Sequence, residues 1–218
     1  MQADEFSQLR PVLETVQLQA HQHLALPEEP MERVYFPRDA VVSMIVLMDD
    51  GRSVECAAIG NEGLVGLEVF LGDGRTRDEV VVQISGEALS LHATDFRQAI
   101  RTSPRLQRLL QHYSLALMNQ LARTAGCNRV HSVEERCARW LLMSLDRVGR
   151  SEFGLTHEFL AKMLGVRRAS VSQTAEHLQR VGLIDYRQGW MRILDRAGLE
   201  DLACEDYRLS SEAYDQLY

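Results

Sequence analysis

The chain has 218 residues and a net charge of −7 at neutral pH, enough length for one large or two modest domains, each with a buried core. Its most apolar run, Val41 to Met48, is far too short to cross a bilayer. The start, MQADEFSQLR, lacks both the basic opening and the apolar core of a secretory signal, so a cytoplasmic protein with no membrane partner is expected. Cys56, Cys127, Cys137 and Cys204 are widely spaced without a CxxC pair. That spacing argues against a zinc knuckle or disulfide scaffold and predicts buried, inert thiols, with no metal site and no cofactor.

Residues 16–92 read as strands and turns. VVSMIVLM is β-branched and apolar, Asp50-Gly51 is a hairpin turn, and RSVECAAI continues with partial alternation. A loop with Gly60, Gly63 and Gly66 follows, and then EVVVQIS and ALSLH are expected to form a strand pair around Gly86. Short strands separated by glycine turns suggest a barrel or sandwich. Near Thr94, an N-cap candidate, the pattern turns helical. Pro104 then suits the first turn of a long helix running to about Ala125. Leu106, Leu110, Tyr113, Leu117 and Leu121 form one apolar stripe on it, and such a stripe between two domains is expected to bury itself against its twin in a homodimer. Leu109 and Met118 lie partly off the stripe and are left for intrachain contacts. Gly126 to His131 reads as a hinge, and Ser132 caps the next helix, SVEERCARWLLMSLDRV.

The most informative window is His157 to Glu176, HEFLAKMLGVRRASVSQTAE. A helix-turn-helix needs a small residue where its helices cross, a residue tolerant of positive φ four positions on, and an apolar side chain six positions later. Ala161, Gly165 and Val171 meet those needs, and Leu160, Leu164 and Val166 frame them. Gly182 ends the second helix, and LIDYRQGWMRILD alternates around Gln188-Gly189 as a small hairpin, a wing. The global charge is acidic, yet basic residues outnumber acidic ones from Arg136 to Arg192, and Asp195 to Asp215 is a mostly acidic tail. A local basic stripe is what docking on phosphates needs.

This order of parts resembles the family of catabolite activator protein and its Fnr-type relatives. The resemblance is carried by YFPRDAVVSMIVLMDDGRSVECAAIGNEGLVG, LTHEFLAKMLGVRRASV and QRVGLIDYRQGWMRILDRAGLE. It implies an α+β chain: a cyclic-nucleotide-binding-like β-roll (jelly roll) over 1–102, a dimerisation helix and hinge over 103–131, and a winged helix-turn-helix over 132–218. Members that bind cyclic nucleotides carry Gly-Glu for the ribose, whereas Gly66 here is followed by Leu67. Arg75-Thr76 resembles the phosphate pair but is shifted by one and flanked by Asp78 and Glu79, so Gly66, Arg75 and Thr76 are kept as a candidate effector loop without cAMP as its ligand. No cysteine precedes Cys56, which excludes the N-terminal iron–sulfur cluster of Fnr-type members. His21 and Glu28 stand at β-roll turns that usually carry glycine in the family.

The resemblance implies a DNA-binding transcription regulator, not an enzyme, with double-stranded DNA, a second copy of itself and RNA polymerase as partners. Arg168 and Gln173 fall on its outer base-reading positions and Ala169 on the middle one, which predicts a half-site other than TGTGA. Arg167, Ser170, Ser172 and Thr156 join them at the start of the reading unit, and Arg187, Gln188 and Arg192 are wing contacts to the backbone. The competing reading is a metal- or small-molecule-binding, cupin-like β-barrel enzyme with an accessory DNA-binding domain. It rests on His21, His23 and Glu28 within HQHLALPE, with His92 as the one further histidine of the β domain.

Overall fold

A computed structural model of the chain describes residues 9–215. Residues 1–8 and 216–218, the outer ends of the two expected terminal domains, lie outside the described residues. The N-terminal part contains β1 (Glu14–Leu18), β2 (His23–Ala25), β3 (Arg33–Pro37), β4 (Val41–Leu47), β5 (Ser53–Ile59), a short α1 (Glu68–Leu71), β6 (Glu79–Ile84), β7 (Gly86–His92) and α2 (Ala93–Thr102). The long α3 (Pro104–Val130) follows. The C-terminal part is α4 (Val133–Val148), β8 (Glu152–Gly154), α5 (His157–Leu164), α6 (Arg168–Arg180), β9 (Ile184–Arg187), β10 (Trp190–Ile193), α7 (Arg196–Leu202) and α8 (Asp206–Asp215).

The β-roll is two antiparallel sheets, ordered β1-β7-β3 and β2-β6-β4-β5. The second sheet is covered on both faces. Val42, Ala57, Ile59, Val80 and Val82 enter the core between the sheets. Their neighbours Val41, Ile45, Ala58, Val81 and Ile84 enter a second core shared with Leu141, Leu160 and Leu178 of the C-terminal helices. A strand buried on both sides has no polar face, which is why VVSMIVLM reads as a continuous apolar run. Leu141, Leu160 and Leu178 are fully buried, each worth roughly 1.5–3 kcal/mol of transfer free energy.

The expected pairing of EVVVQIS with ALSLH is corrected. β6 pairs with β2 and β4, whereas β7 pairs with β1 and β3, so Gly86 carries the chain from one sheet to the other. A Cβ on Gly86 would come within 2.6 Å of the Asp39–Ala40 backbone, so only glycine permits this crossing. His21 and Glu28 hold positive φ values of 69° and 66°. The turn geometry is therefore kept without glycine, at a cost of about 1–2 kcal/mol each.

Two helix boundaries also differ from expectation. α2 starts at Ala93 with His92 at its cap and no side-chain capping bond, so Thr94 lies inside the helix. α3 passes through Gly126 to Val130, and the break narrows to His131 and Ser132, both extended. Burial of Thr124 and Cys127 holds that last stretch helical despite the glycine. Ser132 and Glu135 then close a reciprocal capping box on α4, with bonds of 3.2 and 2.8 Å.

The apolar stripe of α3 faces its own chain. Leu106, Leu110, Tyr113 and Leu117 are 3–5 % exposed in the β-roll core, and Leu121 packs beside them. This corrects the reading of these residues as a dimer interface: the sheet they lie on has already taken them out of water. The opposite face carries Leu115 and Met118, 59 % and 65 % exposed, followed by exposed Ala122 and Ala125. Met118, expected to serve intrachain packing, is therefore largely exposed in the chain. The tail also crosses the expected domain boundary, because Tyr214 of α8 joins the β-roll core and its hydroxyl donates to Gln120 Oε1 at 2.7 Å.

Candidate nucleic-acid interface

α5 and α6 form the helix-turn-helix. Thr156 caps α5, its Oγ1 accepting from Phe159 N at 3.1 Å. Gly165 adopts φ 62° at the turn, where an added Cβ would be strained and would come 3.0 Å from Val54 Cγ2 of β5. Ala161 and Val171 are both buried, Val171 completely. Behind them β8, β10 and β9 make a three-stranded sheet, with Gln188 and Gly189 both at positive φ in the wing turn, as a two-residue hairpin requires. The sequence reading missed β8, a three-residue strand too short to show periodicity.

The exposed surface of this unit gathers most of the expected contact residues. Arg167, Arg168 and Gln173 are exposed and Ser170 half-buried on the first turns of α6. Arg167 sits at the N-cap without a side-chain capping bond, so the leading N–H groups of α6 and its positive dipole end point outward beside two guanidinium groups. Thr156 lies next to the wing turn, 3.9 Å from where a Cβ on Gly189 would fall.

Other expected contacts are engaged within the chain. Ser172 Oγ is 3.0 Å from His157 Nδ1. Arg187 pairs with Asp185 at 3.0 Å, and Arg192 Nε donates to Glu152 Oε2 at 2.7 Å. Exposed pairs of this kind hold about 0–1 kcal/mol, so a phosphate can replace either carboxylate at little cost.

His157 is a positioning residue the sequence reading did not single out. Its ring stacks on Tyr186 of the wing strand at 4.2 Å and bonds Ser172 of α6, tying α5, α6 and the wing together. Neither contact has a local sequence signal, since each joins residues far apart in the chain. Burial pushes the His157 pKa below the ordinary histidine value, and the charge of Arg168 adds to this. The ring is therefore neutral at neutral pH. As pH falls through about 6.5 the unfolded chain takes up this proton before the folded chain does, so stability present above that pH is lost on going below it. Denaturant midpoints should drop more steeply below that pH for the wild type than for His157→Phe, which keeps the stack without the titration. Parallel profiles would contradict this role.

The candidate effector residues divide. Gly66 and Arg75 line a cavity of about 340 Å³ between the β-roll and α3, along with Leu64, Leu71, Leu117 and Met118. Arg75 is already committed, donating to the Glu28 carbonyl and lying 3.7 Å from Asp73. Thr76 is buried and bonds the backbone of Asp78, so its hydroxyl does not serve the cavity. Glu68 and Asp73 also line the cavity, and burial raises the Glu68 pKa. Among the described residues, an anionic ligand finds no free cation there.

The histidines of the cupin-like reading do not converge. His21 meets the Phe159 ring edge-on at 5.1 Å, while His23 pairs with Glu79 at 2.9 Å and His92 lies 3.0 Å from Arg33. The cysteines are less scattered in space than in sequence: Cys127 and Cys204 have their sulfurs 3.5 Å apart.

A β-roll followed by a long helix and an exposed winged helix-turn-helix defines a DNA-binding regulator. Residues 15–103 match the cyclic nucleotide-binding domain family and residues 135–202 the Crp-like helix-turn-helix domain family. The chain belongs to the Crp/Fnr family of transcription regulators. FixK2 from Bradyrhizobium japonicum has a similar structure, with 19% identity, TM-score 0.74 and coverage of 88% of this chain and 98% of that one. TTHB099, a CRP-family regulator from Thermus thermophilus, is 20% identical, with TM-score 0.70 over 86% of this chain and 96% of its own. CLP from Xanthomonas campestris, described as a c-di-GMP-responsive global regulator, is 18% identical, with TM-score 0.65 over 89% of this chain and all of its own length, 100%. No protein of curated function matches the chain in sequence. Among the described residues no helix is long and apolar enough to cross a membrane.

Proposed function

We propose that the protein is a homodimeric transcription regulator that reads a pseudo-palindromic promoter site with α6. The observation that carries this reading is the uncapped, exposed start of α6, bearing Arg167, Arg168 and Gln173 beside the wing. Arg168 presents a bidentate fork to guanine O6 and N7, and Gln173 does the same for adenine N6 and N7. Ser170, Thr156, Arg187, Gln188 and Arg192 hold the backbone, while Ser172 acts through His157. Two-fold symmetry places the half-sites about one helical turn apart. RNA polymerase is the remaining partner of such a regulator at its promoter.

The two copies meet along the exposed face of α3. Leu115, Met118, Ala122 and Ala125 are spaced three, four and three residues apart, the a/d rhythm of a coiled-coil seam, and the small alanines let the helices approach closely near the hinge. The effector enters the cavity beneath this seam. Met118 lines that cavity and is itself largely exposed, so an occupant there alters how two α3 helices meet. The apolar lining and the carboxylates of Glu68 and Asp73 suit an uncharged or basic small molecule better than a phosphate.

Arg168→Ala tests the reading helix. It should cost about 1–3 kcal/mol of specific binding and relax preference at one base pair per half-site in a mobility-shift titration against site variants. Full specific affinity in that mutant would remove α6 as the reader.

A further inference from the structure

Four potential metal ligands converge where α3 ends and the tail begins. Cys127 in the last turn of α3, His131 at its C-cap, and Cys204 and Asp206 at the start of α8 place their ligand atoms within 4.8 Å of one another. The edges suit one small ion. The two sulfurs are 3.5 Å apart, Cys204 Sγ is 3.9 Å from Asp206 Oδ2, and His131 Nδ1 is 3.5 Å from the same oxygen. A tetrahedral zinc with Zn–S bonds of about 2.3 Å has a sulfur–sulfur edge of about 3.8 Å.

Three further features fit a metal and are otherwise costly. His131 Nδ1 is buried without a hydrogen-bond partner, while Nε2 of the same ring lies 3.3 Å from the Glu205 carboxylate. A neutral ring with its proton on Nε2, toward Glu205, would leave Nδ1 open to a metal. Cys127, Cys204 and Asp206 are 0–5 % exposed, so a carboxylate and two thiols share a dry site. Arg123, with Nη1 3.4 Å from Asp206 Oδ1, offsets the single negative charge left when two thiolates and a carboxylate hold a divalent cation.

We propose that Cys127, His131, Cys204 and Asp206 form a binding site for one divalent transition-metal ion of the zinc class. Two thiolates with one imidazole and one carboxylate make a borderline-soft set that selects zinc over magnesium or calcium. Binding releases the two thiol protons to solvent and changes no oxidation state. The ion ties the hinge at His131 to the tail loop at Cys204, fixing how α3 leads into the C-terminal domain. The site lies apart from α6 and does not depend on how DNA is read. Cys127 and His131 are four residues apart across the end of α3, a C-x₃-H pattern visible in the sequence; its partners stand more than seventy residues away.

The test uses the full-length, reduced protein freed of metal by a chelator and titrated with Co²⁺, then Zn²⁺. One Co²⁺ per chain should bind with thiolate-to-cobalt charge transfer and the intense d–d bands of a tetrahedral ion, and Zn²⁺ should abolish both. Cys204→Ser and His131→Ala should weaken Co²⁺ binding by at least tenfold, whereas Cys56→Ser should leave it unchanged. The proposal is overturned if the wild type shows no such bands, if they persist unchanged in Cys204→Ser, or if Cys127 and Cys204 form a disulfide in air with equimolar Zn²⁺ present. The wild-type spectrum decides the matter even if a variant fails to fold.

Discussion

Replacing Leu115 and Met118 together by aspartate is expected to convert the protein to a monomer and to weaken binding to its specific site by on the order of 10³-fold. Both side chains are more than half exposed in the chain alone, so the substitution removes no intrachain core. The monomer should therefore keep its fold, with a Tm that no longer depends on protein concentration. The loss in affinity arises because two linked half-site contacts become one, without any change at α6. Sedimentation analysis with a binding titration checks both parts. A double mutant that stays dimeric would contradict the seam, and a fully affine monomer would contradict the symmetric mode of reading. Substituting Leu110 and Leu117 instead should unfold the β-roll, because they are 3 % and 5 % exposed within it.

The second large effect is on stability. Glu62→Ala should lower the unfolding free energy by about 3–5 kcal/mol, the usual consequence of leaving one partner of a buried ion pair behind. Glu62 Oε1 lies 2.8 Å from Arg147 Nη2 and accepts from its Nε at 2.9 Å, and the two side chains are 14 % and 6 % exposed. The pair joins the loop after β5 to α4, and Arg147 also reaches Gln120 of α3 at 3.3 Å. Trp140 reinforces the same junction, its indole N–H donating to Glu55 Oε1 at 3.2 Å. The double change Glu62→Gln with Arg147→Met should recover much of the loss, since it removes the buried guanidinium that Glu62→Ala strips of this partner. Denaturant unfolding of the three proteins checks this. A cost below about 1 kcal/mol for the single mutant would mean that the junction opens readily to water.

What the sequence discloses follows the range of the interactions involved. The capping box of Ser132 and Glu135, the wing turn at Gln188-Gly189 and the Ala161–Gly165–Val171 frame are local, and each stands in the structure as its spacing implies. The stripe on α3 was equally visible, but periodicity reports only that a face is apolar and says nothing of what covers it. With a second, smaller apolar face at Leu115 and Met118, the larger stripe went to the sheet beside it. EVVVQIS and ALSLH were recognisable as strands, yet their separation into two sheets turns on the close approach of Gly86 to Asp39, which no local pattern encodes. His157 with Tyr186, and Cys127 with Cys204, meet only because the chain folds back on itself.

The central claim is that two copies of α6 read DNA symmetrically. Selection of bound sequences from random duplex DNA by the purified full-length protein tests it most directly. An inverted repeat with half-sites about one helical turn apart should be enriched, and Arg168→Ala should lose preference at one base pair in each half. Enrichment of a single unrepeated element, or of no sequence, would contradict symmetric reading.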